Sequence, residues 1–313
     1  AYLENDYISY LEKKIDKFKP NIIFSTVHDP HVNELLANYK KIKKIVWISF
    51  KTNKQYLESL KNSYQYLITD NDLIYYFSKS LKYKCFNLKI SAPRYINLKK
   101  KDFEKRSEKI YFTGSLGENF NYRFQVLNFL NKNFTLKIKI RNLYEKFKIL
   151  NYINSKLLKI FPKFTKKLYM NKILPLTNSL KYVNENEIFG KQMLDELKKH
   201  KFCINIHSDF GKDKSINMRV YEALSCGCLL ITDRNLKMEK YFKDRKHVIY
   251  FTDQNDLKNK LLYYTKNIEK SFEIAKKGNE IFLNQFCSEV RFKEFLNILK
   301  KIDLNKTKLI NIF

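Results

Sequence analysis

Short apolar runs of strand length alternate with amphipathic stretches, and they do so twice along the 313-residue chain. In the first third, PNIIFST (20–26), KKIVWIS (43–49), YQYLITD (64–70) and YKCFNLKIS (83–91) read as strands, with helices at 1–19, 31–41, 53–62 and 71–80. Each run is short, apolar and bounded by polar turns. Strands without a polar face need cover on both sides, which a parallel sheet between helices supplies. The alternation breaks at 94–108, RYINLKKKDFEKRSE, which is charged and reads as a linker. It restarts with strands KIYFTGS (109–115), TLKIKI (135–140), 201–206, 228–232 and HVIYF (247–251). The helices of this second run fall at 121–132, 190–199, 217–225, 254–264, 268–284 and 288–301. The expectation is an α/β fold with two Rossmann-like domains facing a cleft, over 1–105 and 106–286, with a C-terminal helix in 287–313 returning to the first domain. The first domain is short for that architecture, and the strand that usually opens it is not evident. Ligands of such sheets bind at the carboxyl ends of the strands.

The net charge of +29 invites a nucleic-acid reading. Only eight of the 61 basic residues are arginine, however, and Asn, Ile, Tyr and Phe are abundant too, as AT-rich coding produces. Bidentate recognition of phosphate and base edges favours arginine, so no nucleic-acid partner is expected. The five cysteines have neither disulfide nor zinc spacing and read as reduced cytoplasmic thiols. No apolar run reaches the length of a membrane span, and no signal peptide is visible. Without an initial Met, the chain reads as trimmed or cut from a longer protein. Residues 141–174 carry nine Lys/Arg and the single acid Glu145, with Leu, Ile, Phe and Tyr recurring every three or four positions. This pattern is either a basic helix lying on an anionic inner-membrane face or a helical excursion with solvated lysines.

The stretch SINMRVYEALSCGCLLITDRN (215–235) concentrates chemistry in a glycine- and arginine-poor chain. Its helix starts near Asn217, after a loop that follows the strand at 201–206. A helix N-terminus offers unpaired amides and a partial positive charge, a natural phosphate site. Arg219 lies in the first turn, and Glu222 follows three residues later on the same face. That carboxylate can accept two hydroxyls of a ribose. Gly227 closes the helix in a left-handed cap. The bland alternative is a surface Arg219–Glu222 pair on an ordinary helix.

The segment NMRVYEALSCGCLLITD resembles the donor-binding region of GT-B glycosyltransferases, group 1 type, nearest the CgeB-like (spore-maturation-protein-like) branch, with its N-x-R-x-F/Y-E-x-x-x-x-G-x-x-x-I/L-T-D pattern. KIYFTGS with Arg123, FGKQM with CINIH, and ITDNDLIYYF with KISAPRY resemble further pieces in order, so the likeness spans roughly 20–300. It implies transfer of a sugar from a UDP- or GDP-linked donor to a glycan or lipid-linked glycan in surface polysaccharide synthesis. The first domain would face the acceptor and the second would bind the donor. Asn217, Met218 (through its amide) and Arg219 would hold the diphosphate, and Glu222 the ribose. Gly114, Ser115 and Arg123 would approach the diphosphate or nucleoside, with a helix-surface role for Arg123 as the alternative. The broader retaining group carries E-x7-E; Lys214 stands at its first position, which leaves inversion against retention open.

An inverting enzyme needs a base for the acceptor hydroxyl. STVHDPH (25–31) holds three titratable groups at a strand end, His28, Asp29 and His31, of which His28 and Asp29 are the candidates, against the alternative of an Asp-Pro turn capping the next helix. His207, with Asp209 nearby, is the other candidate, at a strand end where it could contact the donor sugar or phosphate, against a hydrogen-bonded strand-end histidine. DND (70–72) has the look of a D-x-D metal motif, but Asp70 reads as an N-cap, and no other acid cluster supports a metal. A G-x-G-x-x-G fingerprint is absent. No cofactor or metal is therefore expected. The other functional readings are a basic nucleic-acid-binding protein, or a catalytically inactive transferase-like module of a larger chain.

Overall fold

The structure, a computed structural model, describes residues 5–26, 29–49, 52–114, 121–140, 188–207, 213–302 and 309–312. The basic segment 141–174, His28, Ser115 and Asp209 lie outside these residues. The chain divides into two compact units, 1–90 with 289–313, and 91–288.

The first unit alternates α1 (Asn5–Phe18), β1 (Ile22–Ser25), α2 (Pro30–Asn38), β2 (Lys43–Trp47), α3 (Lys54–Ser59), β3 (Tyr66–Thr69), α4 (Asp72–Ser80) and β4 (Lys84–Asn87). Ile22, Ile45 and Ile68, one from each of three neighbouring strands, belong to one buried cluster. In the second unit the elements are α5 (Lys100–Glu104), β5 (Ile110–Gly114), α6 (Asn121–Asn133), β6 (Leu136–Ile140), α7 (Gly190–Leu197), β7 (Phe202–Asn205), α8 (Met218–Ser225), β8 (Leu229–Asp233), α9 (Leu236–Glu239), β9 (Ile249–Phe251), α10 (Gln254–Lys266) and α11 (Ile268–Gln285). The chain then returns to the first unit with α12 (Ser288–Lys301) and β10 (Leu309–Ile312).

Among the described residues both sheets have five strands, ordered β10-β1-β2-β3-β4 and β6-β5-β7-β8-β9, and every pairing is parallel. The strand missing from the start of the first domain is thus supplied from the far end of the chain: Leu309–Ile312 pairs with Ile22–Ser25. The expected return of the C-terminal helix is also present, with Ile298, Leu299 and Ile302 of its segment packing against Ile22, Ile45 and Ile68.

In the second sheet the chain runs outward from β5 to β6 and then returns to place β7 on the other side of β5. That reversal makes the carboxyl ends of β5 and β7 the switch point, where flanking loops part and leave a crevice. The core beneath is built by Ile110 and Phe112 of β5, Ile204 of β7, Leu229 and Ile231 of β8, and Ile249 and Phe251 of β9. All residues of β7, β8 and β9 are buried, which explains why these runs lack the period-two polar alternation of a half-exposed strand.

The 94–108 stretch is not a linker, and the second unit begins at Ser91 rather than at 106. Leu98 and Phe103 are buried in its core. Arg106, 8% exposed, donates Nη1 to the carbonyls of Cys226 and Gly227, both at 2.9 Å. Asn279 donates Nδ2 to the Leu224 carbonyl at 2.8 Å and accepts the Leu98 amide at 3.1 Å. Three anchors among many lysines are too sparse to give a periodic signal, so the strap reads as loop.

Candidate active site

The turns after β1, β2 and β3 show what this chain does when a helix start has only to be stabilised. Asp29 accepts the His31 amide, Asn53 accepts that of Tyr56, and Asn71 accepts those of Leu73 and Ile74. Each side-chain oxygen satisfies first-turn donors that have no partner within the helix. Asp29, a candidate base, is thus the N-cap of α2. The cap of α4 is Asn71, not Asp70, because the helix begins one residue later than its sequence suggests. In the second unit Asn235 caps α9 and Asp253 caps α10 in the same way.

The turn after β7 departs from this rule. Asn217 sits at the N-cap of α8 in extended conformation, yet its side chain makes no capping bond. Its Oδ1 is buried without a hydrogen-bond partner. Buried polar atoms are paired in the great majority of cases, and a capping residue whose side-chain oxygen is buried, unpartnered and off the helix invites a ligand explanation. The loop leading in is held by α9: Leu236 N–H to Asp213 Oδ1 at 2.6 Å, Asn235 Nδ2 to the Ser215 carbonyl at 3.2 Å, and Lys237 Nζ to the Lys214 carbonyl at 3.1 Å.

One turn into α8, Arg219 Nη1 stands 2.7 Å from Glu222 Oε2. It is an ion pair rather than an aligned hydrogen bond, since the same nitrogen also points at the Met193 sulfur and Oε2 and Arg219 Nε have no hydrogen-bond partner. Burial pushes the Glu222 carboxyl above its ordinary 4.5, and the Arg219 charge opposes that rise. Met218 beside them is exposed. The opposite end of α8 is closed: Gly227 takes φ +63°, its amide reaches the Leu224 carbonyl, and the Cys228 amide reaches that of Ala223. This is the paired closure expected of a left-handed glycine cap. The Arg106 and Asn279 contacts described above seal the same end.

The switch-point strands add their own polar ends. Gly114 closes β5 at φ +155°, a conformation in which a side chain is strained. Arg123 donates Nη2 to the Ile206 carbonyl at 2.5 Å, so in this state it ties α6 to the end of β7. His207 follows directly, its side chain 1% exposed, with Nδ1 2.8 Å and its backbone N–H 2.9 Å from Asp233 Oδ1 at the end of β8. Asn205 and Thr232 continue this network, Nδ2 donating to Oγ1 at 2.9 Å. Burial and the charges of Asp233 and Asp253 push the Tyr122 phenol up. Asp233 is a functional candidate that sequence reasoning misses, although its signal is the Thr-Asp that ends the N-x-R-x-F/Y-E pattern. Gly114, Arg123, His207, Asn217, Met218, Arg219 and Glu222 therefore all belong to the second unit, on the carboxyl ends of β5 and β7 and the helices that follow them. A cavity of about 610 Å³ lined by Arg245, Lys260, Tyr263 and Lys270 shares no residue with them.

Among the described residues no three His, Cys, Asp or Glu side chains are grouped as a metal site, and no helix is long and apolar enough to cross a membrane. All five cysteines are unpaired and buried.

The comparisons with known proteins meet this geometry. Residues 162–297 match the family model described as glycosyl transferase-like. HepE of Anabaena, solved with UDP-glucose, aligns over 94% of this chain and 82% of its own at TM-score 0.65 and 9% identity. The fold is the GT-B fold. A glycosyltransferase from Rickettsia africae ESF-5 aligns over 96% of this chain and 82% of its own, at TM-score 0.60 and 13% identity. An α-glucosyltransferase in complex with UDP-glucose and DNA containing an abasic site aligns over 94% and 83%, at TM-score 0.64 and 14% identity. A search of curated protein sequences finds no match.

Proposed function

We infer that this protein is a glycosyltransferase that takes a sugar from a nucleoside-diphosphate donor held by its second unit. The observation that carries the reading is the uncapped start of α8 beside the Arg219–Glu222 pair, within the part of the chain that matches the glycosyl transferase-like model. In this reading the amides of Met218 and Arg219 and the Arg219 guanidinium receive the diphosphate, and the Glu222 carboxylate accepts the ribose hydroxyls. Gly114 lets the β5 end approach the nucleotide closely. When the glycosidic bond to phosphate breaks, negative charge gathers on the departing diphosphate. A fixed helix terminus and a guanidinium stabilise that charge without reorganising, as an oxyanion hole does. This machinery assigns no role to a metal.

The N-x-R-x-x-E order of Asn217, Arg219 and Glu222 supports placement in the CgeB-like branch, and the acceptor is a glycan or lipid-linked glycan of surface polysaccharide synthesis. His28 and Asp29 are the acceptor-side candidates for the base. Asp29 already spends one carboxylate oxygen on the α2 cap, which favours His28. Contact with an anionic membrane face through 141–174 is tested by flotation with anionic liposomes, against a variant whose lysines there are changed to glutamate. The donor reading is tested by nucleoside-diphosphate release from UDP- and GDP-linked sugars. Turnover in the wild type and its loss in Arg219→Ala and Glu222→Ala support it. Absence of both binding and turnover with every donor contradicts it.

A further inference from the structure

The proposed donor site leaves the ring of His207 without a role. Nε2 of His207 is buried and has no hydrogen-bond partner. The atom belongs to a side chain whose other nitrogen is firmly held. Asp233 Oδ1 receives the backbone N–H of His207 at 2.9 Å and stands 2.8 Å from Nδ1, with Thr232 Oγ1 a third donor at 3.3 Å. A carboxylate oxygen facing these groups can only accept. Nδ1 therefore carries the proton, and in the neutral ring Nε2 is left as a lone pair. The two residues end adjacent parallel strands, and β7 is one of the two switch-point strands.

We propose that His207 is a sugar-recognition residue and that Asp233 is its positioning residue, presenting Nε2 as an acceptor for one hydroxyl of the sugar to be transferred. The inference rests on the donor reading above. A lone pair needs a hydrogen donor, and the oxygens of an ionised diphosphate have no hydrogen to give. The ribose hydroxyls are assigned to Glu222. What remains on a nucleotide sugar is the hydroxyls of the sugar and the N–H edge of the base, and His207 ends the strand that leads into α8, whose start is the proposed diphosphate site, which favours the sugar attached to that diphosphate. Screened from water, one such bond discriminates strongly against a sugar that lacks the hydroxyl, since the histidine is then left unpaired. Nε2 is covered in this structure, so the hydroxyl reaches it by parting the groups over it on binding.

The test uses the whole chain labelled with 15N-histidine. Spectra are recorded free, with UDP or GDP, and with UDP-glucose, UDP-N-acetylglucosamine or GDP-mannose, while calorimetry measures each affinity. The expected result is a free-state His207 with Nδ1 protonated and Nε2 bare. Its Nε2 signal shifts with the sugar nucleotide that binds tightest, and hardly with the matching nucleoside diphosphate. In Asp233→Asn the affinity for that sugar nucleotide falls about tenfold, on the scale of other residues that orient a ligand group, while the diphosphate alone changes less than twofold. A protonated Nε2 in the free protein overturns the proposal. So does a His207 signal indifferent to a sugar nucleotide that calorimetry shows bound, or one moved equally by the nucleoside diphosphate. The wild-type spectra decide the matter even if Asp233→Asn fails to fold. If the diphosphates bind and only the His207 prediction fails, the donor reading survives; if no nucleotide binds, both fall.

Discussion

Two kinds of helix start sit side by side in this chain. After β1, β2 and β3 an Asp or Asn side chain closes the first turn. After β7 an Asn occupies the same position and closes nothing. The residue type is the same, so propensity does not separate them; what differs is where the side chain points and what surrounds it. A turn whose only duty is stability spends its cap on the helix. The turn at Asn217 leaves its cap side chain off the helix, beside an ion pair and at the switch point of its sheet. Stability for α8 is recovered at the other end, where Gly227, Arg106 and Asn279 account for its terminal carbonyls.

The largest expected effect comes from breaking that closed end. Arg106→Ala leaves the carbonyls of Cys226 and Gly227 buried without their donor. At about 1–3 kcal/mol for each such group, the second unit loses roughly 2–6 kcal/mol, read as a fall in the denaturant midpoint. Arg219→Ala and Glu222→Ala act on the open end. Each removes a charge-assisted contact of roughly 1.5–3 kcal/mol, so nucleotide affinity measured by calorimetry falls at least tenfold while the unfolding midpoint moves little. Asn71→Ala and Asn217→Ala sharpen the contrast directly. The first removes a working cap and costs about 1 kcal/mol of stability with nucleotide affinity intact. The second removes no cap, shifts stability by less than about 0.5 kcal/mol, and weakens nucleotide binding.

The smallest effect is a pH dependence. Burial raises the Glu222 pKa above 4.5. Between 4.5 and that raised value the native carboxyl holds a proton that the unfolded chain has released, so native stability falls as pH rises through this window. Ribose binding needs the ionised form to accept two hydroxyls. Nucleotide affinity therefore weakens as pH is lowered through the same window, while an exposed glutamate is still charged. Glu222→Gln flattens this dependence, which a pH series of calorimetric titrations will show.

Much of this was legible in the sequence because buried parallel strands announce themselves. PNIIFST, KKIVWIS and CLLIT are too apolar for loops and too short for helices, and each proved to contain a strand. The start of α8 was legible because Asn217, Arg219, Glu222 and Gly227 lie in one local element. Contacts made across long separations were not. The strand 309–312 pairs with residues nearly 290 positions earlier, and nothing in LINI marks that partner. The strap around Leu98, Phe103 and Arg106 reads as lysine-rich loop because three residues anchor it. Asp233 does not stand out in the sequence because its meaning depends on His207, on the neighbouring strand.

The most direct test of the central claim is a crystal structure with the bound nucleoside diphosphate of the preferred donor. The account predicts phosphate oxygens within hydrogen-bonding distance of the Met218 and Arg219 amides, with the ribose hydroxyls on Glu222. A diphosphate bound elsewhere, with Arg219 and Glu222 still paired only to each other, would contradict it.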